Sequence, residues 1–449
     1  MQRCRRISVP DDVLPAPSVA VSRRGASRGE RTIGRLARFG VGLLLAGCLT
    51  PPALAQKTFT WQQIRAQFTA ANPTLQAGQL SIDESRAGEI TANLRPNPNV
   101  TALFDQFDPF TGNPYRPLTY ALPYISASYL HERQHKRELR LESARKATGI
   151  AESSQADLER NLLFALRGAF VETLQNKAVL KLAQEDLAYW DQFLGVSRVR
   201  YKAGDIAQID LDRLELQRVQ YESDVETAEV NLRTAKIQLL MLLNDRTPVE
   251  QLDVTGPYDF PDRVQPLDEF RRLALDTRPD LKAALQAVDK ARTDHMLAVA
   301  NGSTDPTFGA DVAHNPPIQL YVGFSVTIPL RIFDRNQGEK LRTQLDIARN
   351  EKLREAAEAQ VFNDVDSAYA MVASNLTLLR PYKADYLQRA LRVRDTMTFA
   401  YQRGGASLLD LLSAQSDYRA IELNYLNLVG AYLTAASQLN LAVGREVIQ

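Results

Sequence analysis

The sequence contains an internal repeat that limits the folds open to it. Residues 201–244 align with residues 401–444 at an offset of 200 without a gap. Earlier in each half, residues 72–75 correspond to residues 278–281. Nine of the aligned pairs are identical: Tyr201/Tyr401, Gly204/Gly404, Asp210/Asp410, Leu211/Leu411, Glu222/Glu422, Thr234/Thr434, Ala235/Ala435, Gln238/Gln438 and Leu239/Leu439. A duplicated unit of about 200 residues predicts two halves of similar structure in one protomer.

Both halves have the same predicted order of elements. A leading helix is followed by two short extended segments, rich in Pro, Gly and aromatic residues, and then by two very long helical stretches. The first repeat covers residues 56–250, with a helix over 60–94, strands within about 98–130 and long helices over 133–203 and 206–243. The second covers residues 267–449, with the same elements over 267–300, 306–330, 336–403 and 406–443, and residues 251–266 link the two.

The last helical stretch carries a heptad pattern. Its two rows are Leu411, Tyr418, Tyr425, Tyr432 and Leu439, and Ala414, Ile421, Leu428, Ala435 and Ala442. The copy 200 residues earlier keeps both rows, with Arg218 as the single break. An a/d seam of this length is typical of helices packed side by side. A helix over 133–203 would extend about 105 Å at ~1.5 Å per residue, so the long helices must form a bundle, a rod or a tube.

The extended segments favour a tube with a membrane end. Residues 318–328 alternate loosely and are rich in β-branched and aromatic side chains, as strands are. Beyond the leader no run of 18 apolar residues occurs, so a membrane-spanning part would have to be a closed β-barrel. Four strands cannot close a barrel, whereas three protomers would supply twelve, so the pattern predicts an oligomer of at least three copies.

Residues 1–55 are predicted to be a secretion leader. They hold nine arginines against three acidic residues, and their apolar run, 39–46, is too short to span a bilayer. Two processing positions stay open, which are lipidation at Cys48 and cleavage after Ala55. Cys4 and Cys48 are the only cysteines, so no disulfide framework is expected. The whole chain has 54 basic and 53 acidic residues, a balance that does not indicate nucleic-acid binding.

Three features beside the duplication point to a known family. Residues 278–281, Arg-Pro-Asp-Leu, follow a short helix; residues 328–338 lead from a strand into a long helix; and Asp410 comes six residues after the glycine of Tyr401-x-x-Gly404. Over essentially all of 57–444 the chain resembles the TolC family of outer-membrane efflux proteins. The sequence of residues 329–338 is similar to that of the family branch that serves heavy-metal cation pumps.

The resemblance implies a mainly α fold with a small β part, built as a homotrimer. A twelve-stranded β-barrel in contact with outer-membrane lipid would continue into a twelve-helix α-barrel that extends into the periplasm. Its tip would dock onto a periplasmic membrane-fusion adaptor and an inner-membrane efflux pump of the RND type. The implied function is the passive exit duct of a tripartite efflux system, which needs no cofactor. Whether its substrate is a metal ion, a drug or a protein stays open.

Site residues can be carried over by position. Candidate residues of the periplasmic tip turns, and so of adaptor contact, are Tyr201, Gly204, Asp210 and Gly404. Candidate residues of the pore constriction are Tyr401, Asp410 and Ser413. Three copies of Asp410 would form a carboxylate ring that selects cations. Ser413 stands where the family has a second aspartate, so this ring would carry less charge. The alternative is that Asp210 and Asp410 only stabilise the positive ends of their helices.

Two other functions compete with the duct. Residues 131–135, His-Glu-Arg-Gln-His, match the HExxH signature of zinc proteases, with Glu152 and Glu159 as candidate third ligands. The motif opens a stretch dense in Arg and Lys, which disfavours zinc, and no other catalytic motif appears, so no enzyme is expected. The other alternative is a periplasmic coiled-coil scaffold or adaptor without a pore, which would leave the strands unexplained.

Overall fold

The computed structural model describes residues 57–106, 110, 114–118, 121–261, 264–315 and 318–448. The predicted leader, residues 1–55, lies outside the described residues, and with it both processing positions, Cys48 and Ala55. The structure therefore does not bear on the choice between them.

The described chain is mainly helical with a small β part, as predicted. Its first half contains β1 (Lys57–Phe59), α1 (Trp61–Ala71), α2 (Pro73–Asn93), β2 (Asn99–Asp105), β3 (Leu122–Leu130), α3 (Lys136–Lys202) and α4 (Gln208–Leu242). Its second half contains β4 (Leu252–Val254), α5 (Leu267–Thr277), α6 (Pro279–Asn301), β5 (Thr307–Asn315), β6 (Ile318–Thr327), α7 (Gln337–Pro381), α8 (Leu387–Gln402) and α9 (Leu408–Val443). Short helical segments of other types lie at Val249–Gln251 and Tyr382–Tyr386.

The leading helix of each half is broken in two, which corrects the single helices expected over 60–94 and 267–300. The breaks fall at Pro73 and Pro279, which begin α2 and α6. Proline lacks the N–H that a helix interior needs but is well suited to a first helical position. The residue before each proline is extended, and the Asn72 side chain caps α2 by accepting from the Thr74 and Leu75 N–H groups at 2.9 and 3.1 Å.

The long helix expected over 336–403 is also interrupted. Pro381 ends α7, and a π-helical segment, Tyr382–Tyr386, joins it to α8. A proline removes one backbone hydrogen bond, and its ring clashes with the carbonyl four residues earlier. A single turn of π-helix accommodates this change in the hydrogen-bond pattern. The corresponding helix of the first half, α3, has no such break and runs for 67 residues, about 100 Å.

The predicted linker, 251–266, contains a strand that the sequence did not reveal. Strand β4 pairs in parallel with β1, with Lys57 opposite Leu252 and Phe59 opposite Val254. Leu252 and Val254 are buried against α1 and the middle of α3. The pair therefore ties the start of the first half to the start of the second.

The four remaining strands form one antiparallel sheet in the order β2-β3-β5-β6. Because opposite residues of paired strands share a face and successive residues alternate, the register separates two faces. The apolar face carries Val100, Ala102, Phe104, Ile125, Ala127, Tyr129, Phe308, Ala310, Val312, Val322, Phe324 and Val326. The opposite face is more polar, and we call it the polar face. It carries Asn99, Thr101, Ser126, Ser128, Thr307, Gly309, Asp311, Gly323, Ser325 and Thr327, together with Leu103, Tyr124, Ala313 and Tyr321.

The apolar face is largely uncovered in the protomer, with Phe324 85% exposed and Val100 73% exposed. An exposed apolar patch of this extent marks an interaction surface. Within the described part of the chain, each helix is either too polar or too short to traverse a lipid bilayer.

The heptad rows of α9 pack inward as expected. Leu411, Tyr432 and Leu439 are fully buried, and Ala414 and Ala435 are at most 5% exposed. The helices pack along α3, which contacts α2, α4, α6 and α9. This arrangement brings the ends of all the long helices together at one end of the bundle.

Candidate functional site

The long helices reverse direction at two turns, residues 203–207 and 403–407, which we call the first and second tip turns. Gly204 and Gly404 adopt positive φ angles of 84° and 75°. Each glycine N–H donates to the tyrosine carbonyl three residues back, Tyr201 at 2.9 Å and Tyr401 at 3.1 Å. The next residue donates to the carbonyl five residues back, at 2.9 and 2.8 Å. Both turns are thus Schellman motifs, in which glycine adopts the left-handed conformation that other residues resist.

The helices that leave the two turns start differently. Ser407 caps α9, because its hydroxyl accepts from the Asp410 N–H at 3.2 Å and donates to the Asp410 carboxylate at 2.7 Å. The Ser407 N–H also donates to that carboxylate, at 3.1 Å. These hydrogen bonds lower the pKa of Asp410. At the first tip turn Ala207 holds the cap position and offers no side-chain hydrogen bond.

The two tyrosines before the turns also differ. Tyr201 is 38% exposed, whereas Tyr401 is 7% exposed and packs against Phe193, with ring centroids 6.0 Å apart. The Arg200 guanidinium lies 5.7 Å from the centroid of the Tyr401 ring. Among the described residues the buried Tyr401 hydroxyl has no hydrogen-bond partner. Its burial, and then the nearby Asp210 carboxylate, raise the pKa of Tyr401.

Tyr401 belongs to a hydrophobic cluster that joins the two halves just behind the turns. We call it the tip cluster; it consists of Trp190, Phe193, Leu194, Leu211, Leu214, Tyr221, Tyr401, Leu408 and Leu411. Its residues come from α3, α4, α8 and α9. Movement of α8 and α9 away from α3 and α4 would therefore expose this cluster.

Asp410 and Ser413 lie on a polar stripe of α9. Both are exposed in the protomer, and so is Asp417 one turn further along, while Leu411 and Ala414 between them are buried. The spacing of three and four residues places all three side chains on one helix face. Asp417 was not among the predicted constriction residues, although its position in the heptad could have indicated it.

Behind the tip cluster lies a group of charged side chains from all four helices, which we call the charge cluster. It consists of Asp186, Asp224, Arg394, Arg419 and Glu422. Arg419 of α9 forms an ion pair with Asp224 of α4, across 195 residues of sequence. Burial, and then the Glu422 carboxylate, raise the pKa of Asp186 to about 6, against the lowering effect of the two arginines.

Tyrosine rings enclose the charge cluster. The Arg394 guanidinium lies 4.7 Å from the centroid of the Tyr189 ring and 4.2 Å from that of Tyr418. The Tyr418 hydroxyl donates to Glu422, and the hydroxyls of Tyr189 and Thr398 are 3.1 Å apart. The contacts of Tyr189 with Arg394 and Thr398 join the two halves, whereas that of Tyr418 with Arg394 links α8 and α9 within the second half. The sequence analysis missed this cluster, because it depends on how the four helices are rotated about their axes.

The HExxH segment is not built as a zinc site. His135 has a positive φ of 56° and precedes the first residue of α3, so the two histidines are not one helical turn apart. The carboxylate of Glu132 is paired with Arg140. Among the residues that the structure describes, no group of three His, Cys, Asp or Glu side chains is placed to hold a metal ion.

Comparison with known sequences gives matches to the second half and to nearly the whole chain. Residues 271–445 match the family model for outer membrane efflux proteins. The cobalt-zinc-cadmium resistance protein CzcC of Cupriavidus metallidurans is 22% identical over 403 residues, which are 88% of this chain and 92% of CzcC.

Comparison with solved structures gives the same fold. The crystal structure of CusC aligns with a TM-score of 0.72 at 17% identity, over 86% of this chain and 92% of CusC. The outer membrane protein VceC of Vibrio cholerae aligns with a TM-score of 0.70 at 14% identity, over 86% of this chain and 96% of VceC.

Proposed function

We propose that the chain is an outer-membrane exit duct of the TolC family of efflux proteins, and that it works as a homotrimer whose tip turns set the width of the periplasmic mouth. The match of its second half to the family model for outer membrane efflux proteins, the similarity to CzcC and the fold shared with CusC support this proposal. A periplasmic membrane-fusion adaptor would contact the tip turns, and an inner-membrane pump of the RND type would drive export. The single observation that carries the proposal is the four-stranded sheet with one apolar and one polar face.

The sheet cannot be complete in one protomer. Its outer strands, β2 and β6, have an unpaired edge each, and such edges favour further strand pairing. Three sheets joined β6 to β2 would close twelve strands, which is enough for a barrel with an open lumen. The apolar face would then meet lipid and the polar face would line water. A periplasmic scaffold without a pore would have neither lipid to contact the apolar face nor a lumen for the polar face to line.

Electron microscopy of the detergent-purified protein tests the assembly. We expect hollow particles with threefold symmetry and a length of about 100 Å or more, since α3 alone has about that length. A monomeric solid rod would contradict the trimer and leave the gate proposal without a basis.

We propose further that the tip cluster and the charge cluster hold the mouth closed. Both clusters join α3 and α4 to α8 and α9, and the buried Tyr401 lies two residues before the second tip turn. Adaptor binding to the tip turns would favour a state in which α8 and α9 move outward. In the closed trimer the polar stripe with Asp410, Ser413 and Asp417 would face the axis and attract cations.

Channel recordings in planar bilayers test the role of Asp410. Asp410→Ala is expected to weaken block by Co²⁺ added to the periplasmic side by about tenfold, because it removes one of the two carboxylates that each protomer would place at the axis. Asp83→Ala is the matched control, since Asp83 is an exposed acid of α2 that pairs with Arg86. Equal Co²⁺ block in the wild type and in Asp410→Ala would remove Asp410 from the constriction.

For the substrate we propose divalent metal cations, on the similarity to CzcC. Deletion of the gene in its host is expected to lower the tolerated concentrations of Co²⁺, Zn²⁺ and Cd²⁺, and the wild-type chain should restore them. Loss of tolerance to organic drugs alone, with unchanged metal tolerance, would assign the duct to another pump.

A further inference from the structure

A cavity of about 270 Å³ lies beside the middle of α3, far along the helix from the tip turns. Its walls come from α1, from one face of α3 and from the end of α9. Leu163 and Phe164 give it an apolar floor, and Trp61 of α1 forms one side. Charged side chains complete the lining, namely Arg65, Glu159, Arg160, Arg167, Arg445 and Glu446. A cavity that combines apolar walls with a few convergent polar groups is a typical ligand site.

Arg167 is the unusual residue of this cavity. Its guanidinium is stacked over the Trp61 ring, 4.6 Å from the centroid, and lies 5.7 Å from the centroid of Phe170. Among the described residues Arg167 forms no hydrogen bond and no ion pair. Burial lowers the pKa of Arg167, with only a partial offset from Glu446. A half-buried guanidinium whose N–H groups have no hydrogen-bond acceptor is costly, so the site favours an anion.

Of the other charged groups of the cavity, Arg65, Arg160 and Glu446 are engaged, whereas Glu159 and Arg445 form no ion pair among the described residues. Glu446 accepts from the Trp61 indole N–H at 2.9 Å and pairs with Arg65 at 3.4 Å. Arg160 donates to the Leu441 carbonyl at 2.7 Å and is held by Asp157 at 2.5 Å. None of these pairs leaves a carboxylate free to turn to Arg167.

The face of α3 toward the cavity carries a negative charge at one end and a positive charge at the other. Glu159, Leu163 and Arg167 follow one another at intervals of four residues, so they share one helix face. Glu159 and Arg167 are separated by about 12 Å along the axis, at ~1.5 Å per residue. A ligand with its negative group at Arg167 would keep that group away from Glu159, whereas a polyanion would meet the glutamate.

We propose that this cavity binds a small organic monocarboxylate with a flat apolar body, held by Arg167. The guanidinium, fixed in orientation by its stack on Trp61, would donate two parallel hydrogen bonds to the carboxylate. The apolar body would cover Leu163 and Phe164. The site is independent of the duct function and would be present whatever the pump exports.

Tryptophan fluorescence of the full chain, purified in detergent, provides a direct test. The chain has two tryptophans, Trp61 in the wall of the cavity and Trp190 in the tip cluster. Benzoate titrated at constant ionic strength is the probe, and benzamide is its neutral analogue of the same shape. We expect a saturable change with benzoate and binding of benzamide weaker by about tenfold or more, since charge-assisted hydrogen bonds are roughly twice as strong as neutral ones. Trp61→Phe should abolish the signal.

Arginine variants decide whether Arg167 is responsible. Arg167→Met is expected to weaken benzoate binding by about 10- to 100-fold, and Arg167→Lys by less, because it keeps the charge but not the planar fork. Arg198→Met is the matched control on the same helix, since Arg198 is paired with Glu215 at 2.9 Å. Its affinity should equal that of the wild type. A response to benzoate that does not saturate, equal binding of benzamide, or unchanged affinity in both Arg167 variants would overturn the proposal.

Discussion

The two tip turns have the same backbone and different side-chain chemistry. Gly204 and Gly404 share their positive φ and their pattern of hydrogen bonds. The second turn adds a capping serine and a buried tyrosine, whereas the first has Ala207 and a half-exposed Tyr201. The duplication has therefore preserved the turn, while the contacts around it have diverged.

The two aspartates at equivalent positions show what this divergence does. Asp410 is held by Ser407 and its charge stabilises the start of α9. The Asp210 side chain has no hydrogen bond among the described residues, and its carboxylate acts on Tyr401 of the other half. Asp410 thus stabilises its own helix, whereas Asp210 acts across the interface between the halves. The predictions below test this asymmetry, from the largest expected effect to the smallest.

The tyrosines should differ most. Tyr401→Ala removes a buried ring from the tip cluster, and large-to-small changes of this kind cost about 3 kcal/mol or more of unfolding free energy. Tyr201→Ala should cost less than about 0.5 kcal/mol, because the ring is half exposed. Thermal unfolding followed by circular dichroism measures both.

Single-channel recording gives the functional side of the same comparison. Tyr401→Ala should raise the resting conductance, and Tyr201→Ala should leave it unchanged. Tyr401→Phe keeps the ring and removes a hydroxyl that has no partner among the described residues, so it should be as stable as the wild type. Equal losses in the two alanine variants would contradict the asymmetry.

The glycines, in contrast, should behave alike. Gly204→Ala and Gly404→Ala leave room for the new Cβ but force a side chain into the left-handed region, at a cost of about 1–2 kcal/mol each. Gly88→Ala in the exposed interior of α2 is the control, where a Cβ also meets nothing and alanine should stabilise by about 0.5–1 kcal/mol. Denaturant unfolding of the three variants separates backbone strain from packing. Unequal losses of unfolding free energy at the two turns would show that the left-handed glycine contributes more to stability at one turn than at the other.

Features that depend on local spacing could be predicted from the sequence. The heptad rows of α9, the strand over 318–328 and the left-handed glycines all follow from periodicity or from the conformational freedom of one residue type. The breaks at Pro73, Pro279 and Pro381 had a local signal as well, because proline is poorly tolerated in a helix interior. The helical pattern on both sides of each proline nevertheless predicts continuous helices.

Features that depend on contacts across the chain could not be predicted. Strands β1 and β4 have three residues each and pair over almost 200 residues of sequence, so neither has a pattern of its own. The ion pair of Arg419 with Asp224, and the environment of Asp186, require the relative rotation of four helices. The HExxH segment shows the opposite error, since a local match to a motif has no meaning without the helix that the motif requires.

The capping serine should have a smaller effect than the glycines or the tyrosine. Ser407→Ala removes the cap of α9 and is expected to cost about 1 kcal/mol. The reverse change, Ala207→Ser, would complete a capping box with Asp210 and should stabilise the start of α4 by a similar amount. Because it would also draw Asp210 away from Tyr401, the pKa of Tyr401 should fall, which a spectroscopic titration of tyrosine measures. An unchanged Tyr401 titration would show that Asp210 does not act across the interface.

The smallest expected effects are those of pH, and they have opposite signs at Asp186 and at Asp410. Asp186 has a folded-state pKa of about 6, above its ordinary value of 3.8, so the folded state binds a proton more tightly than the unfolded state. Its contribution therefore becomes more favourable as pH falls through 6 and levels off below the unfolded value. Asp410 has a lowered pKa, so its contribution is present above its ordinary value and is lost as pH falls through the folded one.

The melting temperature measured against pH separates these two signs. Asp186→Asn should be more stable than the wild type at pH 7, because it removes a partly buried charge, and this advantage should shrink as pH falls below 6. Asp410→Asn should be less stable at pH 7 and approach the wild type only below the ordinary pKa of aspartate. Both shifts should be modest, since Asp410 is exposed and Asp186 retains some contact with solvent, which screens charges. An advantage of Asp186→Asn that stays constant from pH 7 to 4 would mean that Asp186 does not titrate in this range, and that the charge cluster is held by its arginines alone.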